Sequence, residues 1–352
     1  MDVKTLLALA QNAVDVGNIA AAQEFYEVAL TQSPNNIDVL EAYAELMIHH
    51  VQDIPRAKQM LQHAIAVDPE HGHVKYLNLA QLCEANDSLA CYQRALEVLQ
   101  AELRACGGRP RRRAALRSTL ASVHCAVAEL HLTDLCEADG AEGHCAAALT
   151  AALAANPQCV EAHQLLGSMR LSQGRPEEAL QHLHRAVDLT HRLSEREQPT
   201  YESKVELARL LMQVAPDEAH KFLLEILQLG DNNPYIWFLL GETARMRKRY
   251  IDSARLLRRA RVMITVTGGD VEALKEVDTA ISVLVNEMGG PAAAEQIPDL
   301  DHPNPIELLL PEEEDEEDCE DDDDGGHGAD GGNADEYLDE PEWESCDDDD
   351  DD

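Results

Sequence analysis

Large aromatic residues are scarce in this sequence, which has three Phe and two Trp among 352 residues. Alanine and leucine are abundant instead, and that composition favours helices packed through small side chains over an aromatic-rich sheet core. No stretch alternates apolar and polar residues long enough to suggest a sheet. No apolar run approaches the ~20 residues that a membrane-spanning helix needs, so we expect no membrane contact.

Paired cysteines and catalytic motifs are also missing. The nine cysteines occur singly, and there is no Cys-x-x-Cys pair. This usage predicts reduced cysteines that serve as small apolar residues, with no metal site, in the cytoplasm or nucleus. No glycine-rich phosphate loop, nucleophile elbow or zinc-ligand spacing is present. We therefore expect a protein that is not an enzyme and that needs no cofactor.

Basic residues are absent from the end of the chain. Residues 312–352 contain 25 Asp and Glu and no Lys or Arg, while the first 311 residues carry 42 acids against 28 bases. Such a polyanion repels nucleic acid and anionic membranes, so the sequence predicts a basic protein partner and no direct nucleic-acid contact. We predict a disordered acidic tail over 312–352, preceded by a linker with a short apolar motif over 289–311.

A repeated pattern of small and large residues organises the first part of the chain. Ala22, Tyr26 and Ala29 share one face of a predicted helix, and Pro34 ends the unit. This arrangement resembles one tetratricopeptide repeat of about 34 residues. Similar units recur, which predicts an all-α tetratricopeptide-repeat superhelix over 1–288 with about seven helical hairpins plus a capping helix.

The first helices of stacked hairpins line a concave groove, and the repeat phase predicts which residues face it. The polar groove candidates are Gln11, Asp38, Glu41, Glu45, Gln81, Glu161, Gln164, Glu202 and Glu242. For any one of these acids taken alone, a solvated helix face is the better interpretation. Their recurrence at equivalent phase favours an anionic groove.

Five apolar or aromatic residues are predicted to anchor a partner in that groove. These candidate anchors are Leu7, Tyr43, Leu77, Tyr235 and Phe238. Apolar contacts of this kind set the residence time of a complex, whereas long-range charge sets the encounter rate.

Two basic clusters interrupt the acidic sequence. Residues 107–113 are predicted to form an exposed loop, and Arg109, Arg111, Arg112 and Arg113 are either a nuclear import signal or simply a basic surface. The second cluster lies between Arg245 and Arg261. We hypothesise that it docks the acidic tail when no partner is bound, and the simpler interpretation is that it faces solvent.

Three features together carry a family resemblance. They are the Trp237–Gly241 helix near the end of the array, the Leu308–Glu314 boundary, and the Trp343 that stands inside the terminal acid run. The chain thereby resembles the dedicated assembly chaperones of large-subunit ribosomal protein four. That resemblance implies a non-enzymatic protein that captures a newly made basic ribosomal protein, as a monomer or in a one-to-one complex. It would escort this client through cytoplasm and nucleus to pre-ribosome assembly.

Two other functions fit the same residues. The chain is alternatively a tetratricopeptide scaffold or adaptor, whose tail acts as a solubiliser, or a histone-type chaperone for basic proteins. A client chaperone should form a one-to-one complex that weakens at high salt, whereas a scaffold should bind neutral peptides independently of the tail.

Overall fold

The structure is a computed structural model that describes residues 1–194, 197–229 and 233–292. All regular elements within these residues are helical. The helices are α1 (Val3–Asp15), α2 (Ile19–Gln32), α3 (Ile37–Leu46), α4 (Ile54–Val67), α5 (Val74–Leu82), α6 (Ala85–Ala105), α7 (Pro110–Leu132), α8 (Ala141–Ala155), α9 (Val160–Ser172), α10 (Pro176–Arg192), α11 (Tyr201–Met212), α12 (Pro216–Gln228), α13 (Pro234–Met246), α14 (Tyr250–Thr267) and α15 (Val271–Glu287). A π-helical turn over Met47–Val51 extends α3.

Consecutive helices pack as pairs, from α1 on α2 to α13 on α14, and α15 packs on α14 and α13. From α7 to α15 the odd-numbered helices also contact one another in series, as α7 does with α9 and α9 with α11, and α3 contacts α5. This is the packing of a helical repeat array, in which each hairpin contacts its neighbours. The described residues thus confirm the prediction of an all-α tetratricopeptide array with seven hairpins and a final covering helix.

The local sequence explains how the first hairpins form. Ala22, Tyr26 and Ala29 are all buried, so the small residues let the neighbouring helices approach while the tyrosine ring fills the space between them. The side-chain oxygen of Asn36 accepts a hydrogen bond from the main-chain N–H of Val39. It thereby caps α3 directly after the turn that contains Pro34. Helix boundaries here therefore follow from capping residues and proline.

One sequence prediction about a loop was wrong. Residues 107–113 were expected to be a loop, but α7 begins at Pro110, and Arg111, Arg112 and Arg113 form its exposed first turn. Proline suits the first helical position, because its missing N–H has no partner there and its fixed φ is already helical. Only the segment around Gly107 and Arg109 stays outside the helices.

Two other predicted segments lie outside the described residues. These are the acidic tail over 312–352 and most of the linker over 289–311, so the predicted domain boundaries stay predictions. Among the helices that the structure describes, none is both long and apolar enough to cross a membrane.

Candidate binding cleft

The odd-numbered helices α7, α9 and α11 line a cleft of about 1660 Å³. The segments that lead into α9 and α11 complete its walls, through residues such as Pro157 and Pro199. This volume exceeds the 300–1,000 Å³ typical of small-molecule pockets. The cleft therefore has room for a segment of polypeptide.

Carboxylates dominate the charge of the cleft. The acidic residues that line it are Glu129, Glu161, Glu197 and Glu206. Two lining arginines, Arg111 and Arg117, oppose them. The Arg117 guanidinium is already engaged, because it donates hydrogen bonds to the main-chain oxygens of Ala155 (3.0 Å) and Ala154 (3.3 Å) at the end of α8. The cleft thus offers a net negative surface to a partner.

The sequence predicted two of the residues that line this cleft. Glu161 lies in the first turn of α9, where burial, the neighbouring Cys159 and Glu129 raise its pKa to about 7. Gln164, one turn further on, is buried and accepts a hydrogen bond from the Ser203 hydroxyl at 3.2 Å. Together these contacts place α9 at the centre of the cleft and tie it to α11.

A third predicted residue, Glu202, lies nearby but is not among those that line the cleft. It is exposed in the first turn of α11, directly before the lining residue Ser203. The predicted import residues Arg112 and Arg113 are exposed in the first turn of α7, next to the lining Arg111.

The predicted residues of the first three hairpins lie apart from this cleft. Asp38, Gln81 and Gln11 are exposed, and Leu7 is half-buried on α1. The structure does not bring these residues to the cleft over α7, α9 and α11. Leu77, on α5, packs in part against two small core clusters of the third and fourth hairpins.

Glu41 and Glu45 lie one turn apart on α3 but differ in surroundings. Glu41 is partly buried, and burial raises its pKa, while the charge of the fully buried Lys75 opposes that effect. Glu45 is exposed and accepts a hydrogen bond from the Asn78 amide at 3.5 Å. Glu41 therefore already has a cation of the array nearby, whereas Glu45 faces solvent.

Tyr43 is not on the groove surface that the sequence predicted. Its side chain is fully buried and stacks on Tyr26 with ring centroids 5.3 Å apart. Its hydroxyl donates to Glu27 at 3.1 Å, and the Arg56 guanidinium lies 5.0 Å from its ring centroid. The residue faces the packed interior between the first two hairpins, so it offers no surface to a partner.

The predicted residues of α13 lie near the end of the array. Tyr235 and Phe238 are half-buried and stack with ring centroids 5.9 Å apart. Glu242 forms an ion pair with Arg245 at 2.9 Å, and Arg245 also reaches Glu287 of α15 at 2.9 Å. Arg245 therefore connects α13 to the final helix, and Glu242 is paired within α13.

Ion pairs within the array already engage part of the second basic cluster. Arg247 pairs with Asp217 at 2.6 Å, and Arg261 pairs with Asp278 at 2.6 Å. These contacts offset charge that the hypothesised tail docking would use. The tail itself lies outside the described residues, so that docking stays a hypothesis.

Sequence reasoning missed several groups in the cleft. Glu129, Glu197 and Glu206 line it but were not predicted. The pair Cys125 and Cys159, whose sulfurs lie 3.9 Å apart, was also missed. The spacing of the two cysteines could have revealed the pair. They are 34 residues apart, which is one repeat period, and residues at equivalent positions of successive hairpins lie close together.

Comparisons with known proteins agree with this architecture. Two tetratricopeptide-repeat family models match residues 13–82 and 142–192. The first match runs from the end of α1 through α5, and the second covers α8, α9 and α10.

Named relatives and a solved structure extend the match. The chain is 32% identical over 210 residues to a protein of Schizosaccharomyces pombe named "Probable assembly chaperone of rpl4", covering 57% of this chain and 60% of the relative. It is 27% identical over 236 residues to an Emericella nidulans protein of the same name, covering 63% and 58%. The matched regions thus span about 60% of these relatives' lengths.

The structure of the "Assembly Chaperone of RpL4 (Acl4) (Residues 1-338)" is also similar. It matches with a TM-score of 0.63 and 28% identity, over 71% of this chain and 98% of that one. The helical pairing, the family-model matches and these relatives lead to one conclusion. This chain has a tetratricopeptide-repeat fold and is similar in sequence and fold to proteins named as assembly chaperones of Rpl4.

Proposed function

We propose that this chain is a non-enzymatic chaperone that holds a newly made basic ribosomal protein, of the large-subunit protein four class, until it joins the pre-ribosome. The observation that carries the proposal is the match over 210 residues to a relative named as a probable assembly chaperone of rpl4. The relatives' names and the repeat fold favour binding over catalysis.

The cleft over α7, α9 and α11 is the binding surface that suits such a client best. Its volume accommodates an extended segment, and its carboxylates on α7 and α11, Glu129 and Glu206, attract lysine and arginine side chains. A basic ribosomal segment binds any polyanion, including stray RNA, largely by charge. A chaperone that occupies this segment shields it from such contacts.

The proposal includes the setting in which the complex acts. The chain binds its client one-to-one, without direct nucleic-acid or membrane contact, and moves between cytoplasm and nucleus. The exposed arginines Arg109, Arg111, Arg112 and Arg113 are the candidate import signal. Long-range charge from a chain of net charge −39 speeds encounter with a basic client.

The test is a titration of the full-length chain with purified large-subunit ribosomal protein four at moderate salt. The variant E129K/E206K reverses two carboxylates on opposite walls of the cleft. Placing like charges against a basic client should weaken binding about tenfold or more, which corresponds to about 1.4 kcal/mol. Wild-type affinity should also fall as added salt shortens the screening length from about 10 Å at 0.1 M.

The matched control is E24K/D188K, which reverses two exposed acids on the second helices α2 and α10. It makes the same change in net charge away from the cleft, so its affinity should stay close to that of the wild type. Equal losses in both variants would mean that only net charge matters. No loss in either would remove the cleft from the proposal, and salt-independent binding of neutral peptides would favour a scaffold.

A further inference from the structure

Two buried cysteines meet at the wall of the cleft. Cys125 lies on α7, and Cys159 is the residue that directly precedes α9. Both are buried, and their sulfur atoms are 3.9 Å apart. Since they belong to successive hairpins, the contact depends on the stacking of the array and not on local sequence.

A carboxylate completes the cluster. The ligand atoms of Cys125, Cys159 and Glu161 all lie within 4.8 Å of one another. Tetrahedral zinc has Zn–S bonds near 2.3 Å, which places two ligand sulfurs about 3.8 Å apart. The observed sulfur separation fits that geometry, whereas a disulfide needs about 2.05 Å.

The start of α9 holds two of these three groups. The Cys159 sulfur contacts the Cys125 sulfur and accepts hydrogen bonds from the main-chain N–H groups of Ala162 and Glu161. These bonds fix the Cys159 sulfur close to the Glu161 carboxylate. Cysteine sulfur and carboxylate oxygen are both ligands that zinc takes in proteins.

We propose that Cys125, Cys159 and Glu161 form a zinc-binding site whose fourth position opens toward the cleft. Cys159 and Glu161 line the cleft, so the ion and a water ligand have a route of entry. Bound zinc ties α7 to α9 and fixes one wall of the cleft. Glu161 then serves as a metal ligand and not as a contact for a basic client, so this site stands independently of the proposed function.

Cobalt(II) is the probe for the test, because it replaces zinc and reports thiolate ligation as a charge-transfer absorption band. The background is the reduced, metal-free full chain in which Cys319 and Cys346 of the acidic segment are changed to serine. The expected result is a thiolate band that saturates near one equivalent of cobalt per chain and disappears when zinc is added. Zinc should also raise the melting temperature of the chain.

The variants identify the ligands. Cys125→Ser and Cys159→Ser should each weaken cobalt binding at least about tenfold, or about 1.4 kcal/mol, and reduce the band. Glu161→Gln leaves both thiols in place, so it should keep the band and weaken binding. The control is Cys145→Ser, which alters an equally buried cysteine on α8 and should bind like the background chain.

Three results would overturn the site. The first is a background chain with no thiolate band, which would mean that the two cysteines are packed only as small apolar groups. The second is a band that survives in Cys125→Ser/Cys159→Ser. The third is equal loss of binding in the Cys145→Ser control, whose folding is checked by circular dichroism.

Discussion

The buried His220 on α12 joins two neighbouring hairpins through a single hydrogen bond. Its Nδ1 lies 2.9 Å from the Thr243 hydroxyl oxygen, and that hydroxyl donates to the Leu240 carbonyl at 2.8 Å. Because the hydroxyl has only one proton, the neutral imidazole must donate through Nδ1–H. Burial, and then the charges of Arg247 and Arg249, lower the pKa of His220 to about 4.

This residue predicts a dependence of stability on pH. The unfolded chain has a histidine pKa near 6.5, so between about pH 4 and 6.5 the unfolded state binds more protons than the fold. The contribution of His220 is complete above about pH 6.5 and is lost as the pH falls toward 4, by up to about 3 kcal/mol. Urea unfolding of the wild type and of His220→Asn across this range measures it.

Subtracting the stability curve of His220→Asn from that of the wild type isolates the contribution of His220. This comparison is needed because the titration of Glu161 changes stability with pH in the opposite direction. The pKa of Glu161 is raised in the fold, so its contribution is present at low pH and is lost as the pH rises toward 7. His220→Asn should therefore show a flatter fall in stability below pH 6.5. The exposed His49→Asn is the control and should keep the wild-type slope. Parallel curves for all three proteins would refute this account.

At the scale of the helices, two glycines allow the paired helices to approach. A Cβ at Gly167 would lie 2.5 Å from Leu183 Cδ2, and one at Gly241 would lie 2.7 Å from Leu257 Cδ2. In each case the glycine is on the first helix of a hairpin and the leucine is on the second. The same close contact recurs in two repeats, which explains why a small residue is needed at this position.

Gly241→Ala should therefore destabilise the array. The new methyl group overpacks a site where the leucine is fully buried, which costs roughly 1–3 kcal/mol.

Gly143→Ala is the opposite case, because Gly143 is exposed within α8 with no atom near its Cβ position. Alanine there should stabilise the helix by about 0.5–1 kcal/mol. Thermal and urea unfolding test both signs, and a neutral Gly241→Ala would mean that the pairing is looser than described.

The start of α7 combines a helix terminus with the candidate import signal. Its first turn contains no acidic residue, so Arg112 and Arg113 oppose the helix dipole at about 0.3–1 kcal/mol each. The variant R112E/R113E should keep or raise the melting temperature while it abolishes nuclear accumulation of a fluorescently tagged chain. The control K221E/K248E changes the same charge at two exposed lysines and should remain nuclear. Normal import of R112E/R113E would exclude these arginines as the signal.

At the scale of the whole array, the sequence predicted the individual hairpins better than it predicted the contacts between hairpins and the residues that line the cleft. The small and large residues of one hairpin, such as Ala22 and Tyr26, lie within a single helix, so their pattern is visible in the sequence. The contacts of Tyr43 and Cys125 depend on how hairpins stack, which no local pattern encodes. Repeat phase located Glu161 and Gln164, but it missed Glu129, because α7 is 23 residues long and exceeds a normal repeat helix.

The charge of the whole molecule connects the array to its proposed task. The first 311 residues are moderately acidic, and residues 312–352 add 25 acids and no base. Such a field attracts a basic client from a distance, and the cleft then sets how long the client stays. In the proposed function, the net negative charge makes association fast, and the contacts in the cleft make binding specific.

The most direct test of that account is affinity purification of the tagged chain from growing cells, with mass spectrometry of the proteins that co-elute at moderate salt. The account predicts that one large-subunit ribosomal protein, of the protein four class, dominates in near-stoichiometric amount and is depleted with the E129K/E206K variant. A set of signalling or cytoskeletal proteins without an enriched ribosomal protein, or histones in its place, would contradict it.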